Sequence, residues 1–115
     1  MGIIKSMKDA PVKTLNGIGV TLEVYENKIV IKRNLITKLL EGFRGDKTIN
    51  FKNISSIQLQ KANPFISGYL QFSIAGGIES SAGVVDASRD EYTVMFSPSL
   101  NDLAEEIKDF IESRS

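Results

Sequence analysis

The sequence predicts a mainly β fold of about seven antiparallel strands with one C-terminal α-helix. Two observations carry this. Apolar and polar residues alternate with period two through most of the chain, the spacing that puts one face of a strand in a core. The spacing then changes to three and four between Leu100 and Ile111, the stripe of an amphipathic helix. At 115 residues the chain is one domain long, and a domain of this length buries enough surface to fold without metal or disulfide staples.

Residues 1–11 read as a flexible N-terminal segment of a single domain spanning 1–115. Val12–Leu15 is placed to pair through an Asn16-Gly17 turn, a strong type I′ hairpin signal. Ile18, Val20, Leu22 and Val24 share one face of the next strand, with Thr21, Glu23 and Tyr25 between them. Glu26-Asn27 turns the chain into a strand from Lys28 to Arg33. Thr48–Phe51, Ser55–Gln60, Gly68–Ala75 and Glu91–Ser97 continue the set, and Leu70, Phe72 and Ile74 share a face. The seventh strand is Val12–Leu15 or part of 76–90. Leu100, Leu103, Ala104, Ile107, Phe110 and Ile111 form the helical stripe. Pro98 stands at its start, and Ser99 with Asp102 resembles a capping box. A late amphipathic helix after an all-β set covers the sheet.

The absence of cysteine and histidine excludes a disulfide framework, a thiolate metal site, a cysteine nucleophile and the commonest general base. Glu79, Asp86, Asp90 and Glu91 cluster in sequence but lack calcium-loop spacing and read as a solubilising loop. Gly17-x-Gly19 and Gly76-Gly77 lack the third glycine and following helix of a phosphate cradle. Arg44-Gly45-Asp46 reads as a polar turn. No catalytic residue, metal or cofactor is expected, and no zinc-finger, RNP or helix-turn-helix pattern points to nucleic acid. No apolar run approaches the ~20 residues of a transmembrane helix, and no secretory signal is present, so a cytoplasmic location is expected. Gly2 and Ser6 match the loose N-myristoylation pattern, which chance or a cloning residue also explains.

Two segments are candidates for binding. Leu35, Ile36, Leu39, Leu40 and Phe43 have helix-like spacing in a connection between strands, where polar residues are the rule. They cover the open end of their own barrel or form an interaction patch. Residues 28–52 carry seven basic side chains against two acidic ones, while 99–115 carry two basic and five acidic. Lys28, Lys32, Arg33, Lys38, Arg44 and Lys47 are thus either a solvated strand face or an anion-facing patch.

The run Gly42-Phe43-Arg44-Gly45-Asp46-Lys47-Thr48-Ile49-Asn50-Phe51-Lys52-Asn53-Ile54-Ser55-Ser56-Ile57-Gln58-Leu59 resembles bacterial pleckstrin-homology-like domains of unknown function. The following Asn63-Pro64-Phe65-Ile66-Ser67-Gly68-Tyr69-Leu70-Gln71-Phe72 is similar to a "Gly-Tyr-Ile-Gln-Phe" strand of that family. The resemblance covers about residues 14–112. It implies a two-sheet sandwich or partly open barrel of about seven antiparallel strands, closed at one end by the C-terminal helix. Members are often fused to a short C-terminal oligomerisation motif, and this sequence stops at Ser115 without one. The family carries no established catalytic or ligand residues. Phosphoinositide-gripping relatives in eukaryotes use a basic loop between the first two strands, where this chain has Glu26-Asn27.

The expected function is therefore a non-enzymatic binding or scaffold module that contacts another protein or assembles as a homo-oligomer. The alternative is a peripheral reader of anionic membrane lipids through residues 28–52, with weak membrane contact.

Overall fold

The computed structural model describes residues 10–33, 46–74 and 92–114. They form seven antiparallel strands in two sheets, not closed into a barrel, and one C-terminal helix. The first sheet runs β1 (Lys13–Asn16), β2 (Val20–Val24), β3 (Lys28–Arg33) and β4 (Lys47–Asn50), in that order. The second runs β5 (Ile54–Gln60), β6 (Gly68–Ile74) and β7 (Thr93–Phe96). Val12–Leu15 thus supplies a strand, as β1. The long connections at 34–45 and 75–91 lie outside the described residues.

The alternation decides which residues meet. Leu22, Val24, Ile29 and Ile31 from the first sheet and Leu70, Phe72, Val94 and Phe96 from the second are all buried in one core. In antiparallel pairing, directly opposed residues share a face, so Leu15 opposite Leu22 and Ile57 opposite Phe72 point inward together. Helix α1 (Asn101–Arg114) adds Ala104, Ile107 and Ile111, all fully buried. Burying one isoleucine of this kind stabilises the fold by about 1.5–3 kcal/mol.

Four local expectations are corrected. The first hairpin turns at Ile18-Gly19, two residues beyond Asn16-Gly17. The Gly17 N–H donates to the Val20 carbonyl at 2.7 Å, and Gly19 takes the positive φ of 72°. Gly17 serves a different purpose, because a Cβ there would collide with the Met95 carbonyl oxygen. Ile18 consequently leaves the buried face and is exposed, while its N–H reaches across to the Met95 carbonyl at 2.8 Å.

Phe51 does not end a strand. It opens a 3-10 turn (Phe51–Asn53) at the corner between the sheets, buried and packed edge-on against Phe110 with ring centroids 6.2 Å apart. The expected Ser99–Asp102 capping box is replaced by a 3-10 turn over Pro98–Leu100, and the Ser99 hydroxyl lies 3.4 Å from that of Ser97. Asn101, the first helical residue, instead clamps the backbone of Ala62. It accepts from the Ala62 N–H at 2.7 Å and donates to the Ala62 carbonyl at 2.9 Å. At the other end of α1, Phe110 lies against Lys13 and the Arg114 guanidinium, the latter 3.8 Å from the ring centroid. Arg114 also pairs with Glu26 at 3.5 Å, tying the helix end to the β2–β3 turn. No described helix is long and apolar enough to cross a membrane.

Candidate functional site

The segment 61–67 between β5 and β6 presents the most exposed large apolar side chain among the described residues. Asn63 pairs with Ile66 by reciprocal backbone bonds of 2.9 and 3.2 Å, and its side-chain oxygen accepts from the N–H groups of both Phe65 and Ile66 at 2.8 Å. This is the Asx chemistry that suits asparagine to turns. It satisfies the Phe65 and Ile66 N–H groups from within the turn. Phe65 stands out at 94% exposure, and Ile66 beside it is 56% exposed. The base of the segment is rigidly held. Ala62 is buried and clamped by Asn101, and a Cβ on Gly68 would stand 2.6 Å from both the Gln60 carbonyl and the Phe96 ring. The turn thus has a held base and an exposed aromatic tip.

The sequence reading attaches to this segment only a resemblance to a family strand. A Phe-Ile pair after Asn-Pro, in a position where turns are polar, was the signal that could have singled it out.

The predicted interaction patch of Leu35, Ile36, Leu39, Leu40 and Phe43 lies outside the described residues, as do Lys38 and Arg44 of the basic patch. The other four basic residues do not share one face. Lys28 and Lys32 alternate with the buried Ile29 and Ile31 and so lie on the outer side of the first sheet. Arg33 pairs opposite the buried Val20, and Lys47 opposite the buried Ile31, which puts both on the inner side at the sheet end. On the outer side Lys32 bonds Glu23 at 3.3 Å, and Glu23 also accepts from the Tyr25 hydroxyl at 2.9 Å. Lys28 lies over the Tyr25 ring, 5.1 Å from its centroid. On the outer side both lysines of the patch are therefore partnered.

A cleft of about 120 Å³ separates β5 from α1, lined by Ile54, Ser55, Ser56, Ile57 and Glu112. Glu112 is its one titratable group among the described residues, and it pairs with Lys108 at 2.9 Å. No group of three potential metal ligands occurs among the described residues.

Comparison with curated proteins and with solved structures returned no match. A family model described as a domain of unknown function, DUF4429, matches residues 26–112, a stretch that runs from the β2–β3 turn almost to the end of α1. That match covers well over half of the chain, and the protein belongs to the DUF4429 family.

Proposed function

We propose that this domain is a non-enzymatic protein-binding module, a scaffold that docks a partner through the Phe65–Ile66 turn. The observation that carries the reading is Phe65, 94% exposed on a turn whose N–H groups at Phe65 and Ile66 are held by the Asn63 side chain. Exposed aromatic side chains on rigid supports are the usual anchors of protein interfaces, because little conformational freedom is lost when they are covered. Kinship with pleckstrin-homology-like domains belongs to the same proposal. Two antiparallel sheets with a C-terminal helix packed on their core support it. The anionic-lipid reading draws less support, because Lys32 is neutralised by Glu23 and the basic residues divide between two faces.

The test is affinity capture from the native host with the parent chain and Phe65→Ser. The expected result is a protein retained by the parent and lost by the variant, with equal melting temperatures. Retention of the same proteins by both chains would overturn the reading.

A further inference from the structure

We propose that β5 is the docking edge for a second copy of this chain, with two chains joining their three-stranded sheets into one through antiparallel β5–β5 pairing centred on Gln58. This goes beyond the partner-docking reading and uses different residues.

The four sheet edges are not alike. β1 and β4 are four residues long and carry Lys13 and Lys47, and β7 is also four residues long and has its Met95 carbonyl taken by Ile18. β5 is seven residues long and pairs on one side with β6; among the described residues no strand pairs with its other side. It contains no charge and no proline, and its one irregularity is the bulge at Ser55 near its start. Natural edge strands are protected by charge, proline, bulges or shortness, and most of β5 has none of these.

The sequence of β5 fits its own reverse. A two-fold axis at Gln58 sets Ile57 opposite Leu59 of the second copy and Ser56 opposite Gln60, so apolar meets apolar on the inner face and polar meets polar on the outer. Leu59 is half-buried in the single chain and gains cover. Gln58 stands opposite Gln71, whose amide donates to the Thr93 hydroxyl at 3.1 Å, so the axis extends an outer polar row across both sheets. A primary amide donates and accepts, so it is complementary to itself across the axis, which a charged side chain is not.

Charge fits as well. The same register brings Lys61 of the second copy beside Ser55, and Ser55 shares its cleft with Glu112. Lys61 bonds Glu105 on α1 at 3.4 Å, so it lies on the helix side of the sheet, the side on which Glu112 stands.

Light scattering and native mass spectrometry on the full chain test this. The parent is expected to be a dimer. Gln58→Lys and Gln58→Glu each place like charges face to face at the axis and should weaken the dimer by more than about tenfold, with unchanged circular dichroism. Mixing the two variants should restore a heterodimer. Hydrogen exchange on the parent gives a reading without substitution: β5 amides should be protected in concentrated solution and lose that protection on dilution. A monomeric parent, a dimer indifferent to both variants, a mixture that fails to recover, or β5 exchange independent of concentration would each overturn the proposal. None of these outcomes bears on capture through Phe65.

Discussion

Two turns of this molecule are built alike and used differently. Gly17–Val20 and Asn63–Ile66 are both closed by a backbone bond between first and last residues, at 2.7 and 2.9 Å. The first spends its remaining valence on the other sheet, through Ile18 to Met95, and its glycine lies where a side chain would strike that carbonyl. The second draws its remaining bonds from its own Asn63. One turn is therefore part of the joint between sheets, and the other is carried by the fold without being needed to close it. A turn that satisfies itself is free to present a side chain, and Phe65 is what it presents.

The comparison rests on a common frame, and the largest effect comes from removing that frame. Ile107→Asp puts a charge where α1 is fully buried against the sheets. Cooperative unfolding should be abolished in a denaturant titration, and both turns should lose their order together. A variant that melts like the parent would show that the helix is not docked.

The next test acts on one turn alone. Gly17→Val sets a branched Cβ against the Met95 carbonyl, and overpacking of this kind costs about 1–3 kcal/mol. Chemical denaturation should show the loss, while capture through Phe65 persists in the folded fraction. An unchanged midpoint would mean that the joint tolerates separation.

An effect of similar size sharpens the contrast from the other side. Asn101→Ala removes both bonds from the helix to Ala62, and leaving a buried backbone group unpaired costs about 1–3 kcal/mol. The thermal midpoint should fall modestly, and amide exchange at Ala62 should rise while that at Ile18 stays protected. Equal acceleration at both sites would show that the two turns are coupled. Phe65→Ser is the smallest perturbation to the fold, since exposed substitutions usually stay within about 0.5 kcal/mol. Its effect should appear in partner capture only.

The strands, the helix and most of the core were legible in the sequence, because each depends on a period that a short segment carries by itself. Alternation through Val20, Leu22 and Val24 means a strand wherever it packs, and Leu100 to Ile111 means a helix with one buried stripe. The candidate site was legible only in part. Asn63 and Pro64 mark a turn, but nothing local states that Phe65 points away from the core while Phe51, also in a turn between two strands, is buried in it. That difference is made by Phe110 standing opposite Phe51 and by Asn63 holding the other turn closed on itself. The place of the first hairpin turn was likewise decided by Met95, about seventy-five residues away in a strand of the other sheet. That no strand among the described residues pairs with the second edge of β5 follows from strand order. A strand's pattern says which face is buried, and only the assembled sheets say which neighbour it has.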